Sequence, residues 1–346
     1  MIDTERPFFI HNDSTIRGYE MISEMVMAEV TAFMKSRIVL TAAELDLFTC
    51  LDDKPGTASG LAHERGLDVR ATTRILDCLC IMELLEKTDD VYRITDKGVF
   101  LSSHHPETIL PMVLHMTHVW HAWSGLTEIV RKGSGTQPDP GLKFSEKDWK
   151  AFVGAMHVAA RSLSKEIAES YNASRCKRLL DVGAASGTYT MAFLRKNPSL
   201  KAIILDLENV IPMAEERLRD EGFSDRVEFV AGDFYKDELP TGCDLALLSA
   251  ITHQNSPEEN LNLYGKVFRA LEKGGTILIR DHIMNEDRTK PPAGAFFAIN
   301  MLVNTRGGDT YIFREVKDGL ESSGFRNVRL LRIGDKMDCL VEAKKP

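Results

Sequence analysis

In the second half of the chain, short apolar runs alternate with longer segments of helical period. Five such runs follow Cys176, at 178–183, 201–206, 227–231, 244–250 and 275–281. The intervals between them are typical of strand–helix–strand units, so the pattern predicts a doubly wound, mostly parallel sheet. At the C-terminus, the runs NVRLLRI and DCLVEAK flank GDKM, which predicts an antiparallel hairpin. The fold class of this half is therefore α/β.

The first half of the chain has the pattern of a helical domain. Residues 14–50 carry apolar positions at helical spacing and predict a helix. Residues 57–88 predict a short helix, a turn at Gly66 and a longer helix, and VYRITDKG at 91–98 predicts a small strand. A helix–turn–helix followed by a strand is the outline of a winged helix.

A loop separates the two halves. Residues 131–144 are rich in glycine and proline, and Ser145 then caps a helix, with Asp148 three positions on. We therefore predict a helical domain at 1–145 and a sheet domain at 146–346.

Charge argues against a nucleic-acid partner in spite of the winged helix. The 346 residues carry a formal net charge of −8. Residues 41–98 hold seven Lys and Arg against twelve Asp and Glu, a balance of −5, which is the wrong sign for binding phosphates.

Cysteine usage and hydropathy bear on location. The six cysteines form no CxxC motif and lie in or beside apolar runs, as is typical of buried thiols in a reducing cytosol. No stretch reaches the roughly 18 uncharged apolar residues of a membrane span, and the first twenty residues lack the apolar core of a secretory signal. We expect a cytoplasmic protein with no membrane partner.

The segment LLDVGAASGTYT, residues 179–190, holds the first candidate chemistry. A buried strand breaks into five small residues before a helix, which is the context of a nucleotide-binding loop. The pattern is D-x-G-x-A-x-G, from Asp181 to Gly187, and not the G-x-G-x-x-G of dinucleotide sites. No lysine of a phosphate-binding loop is present either. The loop therefore favours a nucleoside without a diphosphate.

Two further strand ends support a nucleoside site. Asp206 ends the next strand and could accept hydrogen bonds from both ribose hydroxyls. In VAGDFY, Asp233 could accept from an adenine amino group, and Phe234 could lie against the purine. All three groups fall at carboxyl ends of strands, where open α/β sheets bind ligands.

The chain carries an ordered set of motifs. They are SRIVLTAAELDLFTCL and TTRILDCLCIMELLEK in the first half, then LLDVGAASG, ILDLENV, VAGDFYKDELP, LLSAITHQNSPEEN, GGTILIRDHIMNED, AINMLVNTRGG and SSGF. This set resembles class I S-adenosylmethionine-dependent methyltransferases, and more narrowly the small-molecule O-methyltransferases of the caffeate, acetylserotonin and phenazine type. The resemblance implies a Rossmann-like methyltransferase sheet and an N-terminal winged-helix dimerisation domain. It also implies S-adenosylmethionine as cofactor, a homodimer, and a small aromatic acceptor.

The resemblance assigns residues to roles. It implies cofactor contacts at Asp181, Gly183, Ala185, Gly187, Asp206, Leu207, Gly232, Asp233, Phe234 and Ser249. It implies His253 as general base and Asp281 as the acid that orients it. It implies acceptor contacts at Met156, His157, Asn300, Met301 and Asn304.

The implied chemistry is proton removal from a phenol. A phenol has a pKa near 10, so little phenolate exists at neutral pH, and a neutral imidazole can take the proton as the methyl group transfers. The sequence departs from the family at Ala185, in place of a glycine, at Ser249, where many plant members carry lysine, and at Thr310, where a second glutamate commonly flanks the base. Methyl transfer to carbon or nitrogen, and cofactor binding without transfer, remain alternatives; a winged-helix transcription regulator is a more distant one.

The stretch HMTHVWH contains three histidines at i, i+3 and i+6. His115 and His118 share a helical face, but His121 is rotated away, so we expect no metal site there. A polar lining for the acceptor pocket, with Trp120 and Trp123 nearby, fits this stretch better.

Overall fold

The computed structural model of the protein describes residues 13–133 and 145–346. The chain divides into two compact units, 1–108 and 109–346. The domain boundary predicted between residues 145 and 146 falls inside the second unit and stays a prediction.

The first unit is built of helices around a small sheet. Its elements are α1 (Asp13–Thr31), α2 (Phe33–Glu44), α3 (Leu47–Asp53), β1 (Gly56–Thr57), α4 (Ala58–Arg65), α5 (Val69–Ile81), β2 (Leu85–Thr88) and β3 (Val91–Ile94). The three strands pair antiparallel in the order β1-β3-β2. The helix–turn–helix followed by a strand pair has the outline that the sequence predicts.

Local signals account for the helix–turn–helix. The Thr57 hydroxyl accepts from the Gly60 N–H and Asp68 accepts from the Ala71 N–H, so both helices have capped N-termini. Gly66 closes α4 in the left-handed region at φ +66°, where glycine carries no Cβ penalty. The single helix predicted over 14–50 is instead three helices. The break before α2 is at Ala32, which keeps helical dihedral angles, and the chain adopts φ +56° at Asp46 before α3.

An apolar face of the first unit is open to solvent. From Met21 to Met34, eight large apolar side chains on α1 and α2 are 48% to 64% exposed. They are Met21, Ile22, Met25, Val26, Met27, Val30, Phe33 and Met34. We call this set the α1–α2 apolar face. A surface this apolar is typical of a site of protein association.

The second unit contains the sheet predicted from the apolar runs. Its elements are α6 (Leu110–Trp123), α7 (Leu126–Lys132), α8 (Glu146–Ala160), α9 (Leu163–Ser170), β4 (Arg178–Val182), α10 (Thr188–Lys196), β5 (Lys201–Asp206), α11 (Ile211–Asp220), β6 (Val227–Ala231), β7 (Cys243–Ser249), α12 (Pro257–Ala270), β8 (Leu271–Asp281), β9 (Ile283–Met284), α13 (Pro292–Asn304), β10 (Tyr311–Ile312), α14 (Phe313–Ser322), β11 (Arg326–Arg332) and β12 (Cys339–Lys344).

The large sheet has the strand order β11-β12-β8-β7-β4-β5-β6. Strands β4 to β8 pair in parallel, and β12 pairs antiparallel with both β8 and β11, so the C-terminal hairpin is confirmed. Apolar side chains from both faces of the sheet form two buried clusters, which explains why the strands are apolar throughout and do not alternate. The order reverses between β4 and β7, and ligands bind beyond the carboxyl ends of strands at such a point.

Within the part of the chain that the structure describes, no helix combines the length and the apolarity needed to cross a membrane.

Candidate functional site

The loop between β4 and α10 is held in a left-handed conformation at three positions. Gly183, Ala185 and Gly187 have φ of +71°, +50° and +69°. A Cβ on Gly187 would lie 2.4 Å from Leu218 Cδ1 and 3.2 Å from Ile204 Cδ1. Close approach of α11 and the sheet therefore explains this glycine without any ligand. Ala185 adopts the strained conformation with its methyl group in place.

Asp206, at the end of β5, hydrogen-bonds to the β4–α10 loop. Its Oδ2 accepts from the Ala185 N–H at 2.7 Å, and its Oδ1 accepts from the Leu207 N–H at 2.8 Å. Burial raises the pKa of Asp206 to about 6, although both N–H groups favour the carboxylate. Each oxygen keeps a lone pair that could accept from a hydroxyl.

The end of β6 lies beside the same loop. The Gly232 N–H donates to the Asp206 carbonyl at 2.9 Å, so this residue joins β5 and β6 where the strands end. Phe234 Cε1 lies 3.5 Å from the position that a Cβ on Gly183 would take, so its ring edge borders the loop. The Asp233 carboxylate accepts from the Tyr235 N–H and pairs with Lys236 at 2.8 Å.

Asp181 lies beneath the loop and is 1% exposed. Its Oδ2 accepts from the Thr190 hydroxyl at 2.6 Å, whereas its Oδ1 is buried without a hydrogen-bond partner among the described residues. Burial raises the pKa of Asp181 to about 7, against the opposing effect of Thr190. An unpaired buried carboxylate oxygen at this place suits a ligand that brings a hydrogen-bond donor or a positive charge.

Ser249, at the end of β7, contacts a buried cation. The Arg280 Nε–H donates to the Ser249 hydroxyl at 3.0 Å, and its Nη1 donates to the Met337 carbonyl at 2.7 Å. The guanidinium also lies over the Tyr189 ring, 4.8 Å from its centroid. Sequence reasoning missed Arg280, although a charged residue inside an apolar strand run was a visible signal.

His253, on the helical turn Thr252–Gln254 that follows β7, forms a buried pair with Asp281 at the end of β8. His253 Nδ1 lies 2.9 Å from Asp281 Oδ1 and 3.0 Å from Oδ2. The backbone N–H groups of His253 and His282 donate to the same carboxylate, at 3.2 and 2.8 Å. The two side chains are 10% and 4% exposed. Because Nδ1 faces a carboxylate, Nε2 is the ring nitrogen left to take a proton.

The Asp281 carboxylate is stabilised in its charged form. Burial alone would raise its pKa, but the neighbouring His253, its hydrogen bond and the Arg280 charge outweigh burial, so the net pKa of Asp281 is lowered. The Phe297 ring on α13 contacts the His253 imidazole edge-on, with centroids 4.8 Å apart, and also contacts His282. Phe297 is a further site residue that sequence reasoning missed; it lies four positions before Met301.

Thr310 does not extend the pair. Its hydroxyl donates to the Gly294 carbonyl at 3.3 Å and its N–H donates to Asp309. The Asp309 N–H in turn donates to the His253 carbonyl at 2.9 Å, so this loop supports the backbone of the histidine.

The predicted acceptor residues lie on α8 and α13. Met156 and His157 are half-buried on α8, and His157 Nδ1 lies 2.8 Å from the Thr188 hydroxyl at the start of α10. Met301 is buried on α13. On the same helix, the Asn300 side-chain oxygen accepts from both Asn304 Nδ2 and Trp123 Nε1.

The three-histidine stretch lies on α6. Burial lowers the pKa of His115 to about 4, with a smaller contribution from His118, and its ring meets Phe152 edge-on at 5.4 Å. Among residues 13–133 and 145–346, no three His, Cys, Asp or Glu side chains come together as a metal site.

Two family models match the chain. Residues 27–103 match the O-methyltransferase dimerisation domain, and residues 133–326 match the O-methyltransferase domain. The chain belongs to the O-methyltransferase family. The predicted family, α/β fold and N-terminal helical dimerisation domain are thereby confirmed.

Similar proteins cover nearly all of this O-methyltransferase. It is 30% identical to the 3-hydroxy-5-methyl-1-naphthoate 3-O-methyltransferase of Streptomyces sahachiroi, over 87% of this chain and 89% of that one. It is 28% identical to the tetracenomycin polyketide synthesis 8-O-methyl transferase TcmO of Streptomyces glaucescens, over 96% and 98%. Among solved structures, PigF with SAH is similar at a TM-score of 0.85 and 25% identity, over 93% of this chain and 99% of that one.

Proposed function

We propose that this O-methyltransferase transfers the methyl group of S-adenosylmethionine to a phenolic hydroxyl of a small aromatic acceptor, with His253 as the general base. The observation that carries the proposal is the buried His253–Asp281 pair, with Nδ1 2.9 Å from the carboxylate at the carboxyl edge of the parallel sheet. The β4–α10 loop and Asp206 also lie at that edge, so the proposed base and the proposed nucleoside-binding loop are on the same side of the sheet.

The residues around the loop fit the cofactor. Asp206 keeps lone pairs for the ribose hydroxyls, and the ring edge of Phe234 borders Gly183, where a purine would lie. The unpaired Oδ1 of Asp181 suits a donor such as the α-amino group. When bound, S-adenosylmethionine supplies a methyl group that its sulfonium already activates.

Asp206, Phe234 and Asp181 would therefore hold the cofactor. We propose the same role for Gly183, Ala185, Gly187, Leu207, Gly232, Asp233 and Ser249. The carboxylate of Asp233 is paired with Lys236, and its oxygens keep further lone pairs that could accept from the adenine amino group.

The protein's own contribution is to remove the acceptor's proton and to hold the acceptor in line. Asp281 keeps the proton of the neutral imidazole on Nδ1, so that Nε2 presents its lone pair to the phenol. As Nε2 gains the proton, the carboxylate stabilises the imidazolium. The lowered pKa of Asp281 keeps it ionised at any pH where a phenol is methylated.

Among the described residues, the carboxylate that contacts the His253 ring is that of Asp281. The Thr310 hydroxyl is bound to the Gly294 carbonyl, and Thr310 carries no charge. We infer that Asp281 alone orients His253 and that the supporting hydrogen bond from Asp309 to the His253 carbonyl fixes the backbone.

The acceptor class is supported by the similar proteins. Two of them are named for methyl transfer to oxygen of a hydroxynaphthoate and of a tetracenomycin polyketide. We propose that Met156, His157, Asn300, Met301 and Asn304 line the acceptor site, beside the Phe297 ring. The alternatives of carbon or nitrogen methylation, and of cofactor binding without transfer, are not favoured by these observations.

We also propose a homodimer that forms through the dimerisation domain and the α1–α2 apolar face. All six cysteines are free thiols, in keeping with the cytoplasmic location that stays a prediction.

Methyl transfer to a panel of phenols, with labelled S-adenosylmethionine and mapping of the methylated atom, tests the proposal. We expect O-methyl products from the wild type and a loss of about 10²–10⁴-fold in rate for His253→Ala. Exclusive methylation of carbon would contradict the transfer to oxygen. An unchanged rate in His253→Ala would contradict the role of His253 as the base.

A further inference from the structure

A continuous line of hydrogen bonds joins the loop after β6 to the turn that carries His253. The Tyr235 hydroxyl donates to Asn255 Oδ1 at 2.6 Å, and Asn255 Nδ2 donates to Asn260 Oδ1 at 3.0 Å. Asn260 Nδ2 donates in turn to the Thr252 carbonyl at 2.9 Å. Thr252 is the residue before the histidine, at the start of the same helical turn. We call Tyr235, Asn255 and Asn260 the Tyr–Asn–Asn bridge.

The direction of each hydrogen bond in the Tyr–Asn–Asn bridge is fixed. A backbone carbonyl only accepts, so Asn260 must present its NH₂ group to Thr252 and its oxygen to Asn255. Asn255 must then present its own NH₂ group to Asn260 and its oxygen to Tyr235. Neither amide can turn over without losing its hydrogen bonds. Asn255 and Asn260 are 0% and 5% exposed, so a bond that is lost leaves a buried polar group unpaired.

The Tyr235 ring lies against the ring that we propose to contact the purine. The centroids of the Phe234 and Tyr235 rings are 4.5 Å apart, and the rings are inclined at 42°. The backbone of this loop is held in place, because the Lys266 ammonium donates to the carbonyls of Phe234, Tyr235 and Asp237 at 2.8 to 3.0 Å. The two rings, and not a movement of the loop backbone, are thus the path by which a purine packed on Phe234 would reach the bridge.

We propose that Tyr235 and Asn255 are positioning residues that couple the occupied cofactor site to the general base. A purine against Phe234 limits the freedom of the Tyr235 ring, and the Tyr235 hydroxyl then holds Asn255 and the turn before it in the conformation that presents His253. The inference rests on the proposed roles of Phe234 and His253 and adds a connection between them. Its consequence is that the turn carrying the base is more stable when the cofactor site is filled.

Asn255 also receives a hydrogen bond from another part of the fold. The Tyr311 hydroxyl, at the start of β10, donates to the Asn255 backbone carbonyl. Tyr235→Phe and Tyr311→Phe each remove one hydroxyl from Asn255, the first from the loop beside the proposed cofactor site and the second from β10. Tyr311→Phe is therefore the matched control. Tyr235 is 47% exposed, so its variant opens no cavity in the core.

Hydrogen exchange of the backbone, followed by mass spectrometry, measures the stability of residues 252–255 directly. The ligand is S-adenosylhomocysteine, which carries the adenosyl group but no methyl group to transfer, at a concentration that calorimetry shows to be saturating. In the wild type, we expect this ligand to slow exchange in the segment about fivefold or more. In Tyr235→Phe the slowing should fall below about twofold, whereas Tyr311→Phe should exchange faster without ligand and keep the slowing.

A kinetic measurement separates positioning of the base from simple retention of the cofactor. With S-adenosylmethionine saturating, Tyr235→Phe should lower kcat for an ordinary phenol about 2–10-fold, as the loss of one neutral hydrogen bond predicts, while KM for the cofactor stays nearly unchanged. A phenol of low pKa is already ionised at neutral pH and should show a smaller loss, because it needs no base. Circular dichroism and thermal unfolding check that both variants are folded.

The outcomes separate this inference from the proposed function. No slowing of exchange in the wild type, equal slowing in the wild type and Tyr235→Phe, or its loss in both tyrosine variants would overturn the coupling. A rise in KM for the cofactor with no change in kcat would show that Tyr235 only helps to retain the cofactor, and would overturn it too. If S-adenosylhomocysteine slows exchange as expected but no phenol is methylated on oxygen, the proposed function fails while the connection stands.

Discussion

Replacement of Asp281 by asparagine separates the role of the carboxylate from that of the histidine. Asp281 receives the His253 ring at 2.9 and 3.0 Å and two backbone N–H groups at 3.2 and 2.8 Å. Asparagine fills the same space, but its single oxygen cannot serve all of these donors, and its NH₂ group must face at least one of them. The substitution also removes the negative charge on which a forming imidazolium depends.

The magnitude follows from the hydrogen bond that is lost. A hydrogen bond to a charged group contributes about 1.5–3 kcal/mol, and each 1.36 kcal/mol in the activation free energy is a factor of ten. We therefore expect kcat/KM of Asp281→Asn to fall about 10–100-fold for an ordinary phenol. The exposed Asp287, which binds Thr289 and Asn285 in its own turn, offers a matched control, and Asp287→Asn should be unaffected.

The pKa of the acceptor decides whether the loss is catalytic or structural. With phenols of decreasing pKa, the fraction of phenolate at neutral pH rises and a base becomes unnecessary. The defect of Asp281→Asn should therefore shrink along a series of substituted phenols, followed as S-adenosylhomocysteine formation by chromatography. A defect of constant size across the series would refute the base mechanism and indicate that Asp281 acts only through the fold.

Two further predictions concern the β4–α10 loop. Because burial raises the pKa of Asp206 to about 6, the carboxylate is lost as the pH falls below that value. Asp181, with a pKa of about 7, titrates in both the wild type and Asp206→Asn, so the ratio of their affinities for S-adenosylhomocysteine, measured by calorimetry, should fall about tenfold per pH unit there. A pH-independent ratio would contradict the ribose contact. Gly187→Ala should lower the free energy of unfolding in urea by about 1–3 kcal/mol, since its Cβ would meet Leu218 at 2.4 Å and its φ is positive. Gly242→Ala, with positive φ but open space around it, is the control, and an equal loss in both variants would show that backbone strain alone is responsible.

Much of the sheet could be predicted from the sequence because its strands are buried on both faces. A continuous apolar run then marks each strand, and the βαβ rule fixes the parallel direction and the edge where ligands bind. The approach of His253 to Asp281 follows from the same reasoning, since Asp281 ends β8 and His253 follows closely after the end of the neighbouring strand β7.

Contacts made by side chains of distant segments could not be predicted. The hydrogen bond from Trp123 to Asn300 joins residues 177 positions apart, and no local sequence pattern predicts it. The hydrogen bond from the Thr310 hydroxyl to the Gly294 carbonyl depends on how α13 packs beside β10, which is a matter of tertiary structure. No glycine or proline lies between α1, α2 and α3. The helical spacing of the apolar residues therefore predicts one continuous helix across both breaks.

The α1–α2 apolar face has a consequence for how the protein behaves on dilution. Four of its eight side chains are methionines, whose unbranched thioethers adapt to a partner surface without a single required fit. If two copies bury this face together, mass action links the apparent stability of each chain to its concentration. Oxidation of the same thioethers to polar sulfoxides would weaken the association, so peroxide and dilution would act on the enzyme in the same direction.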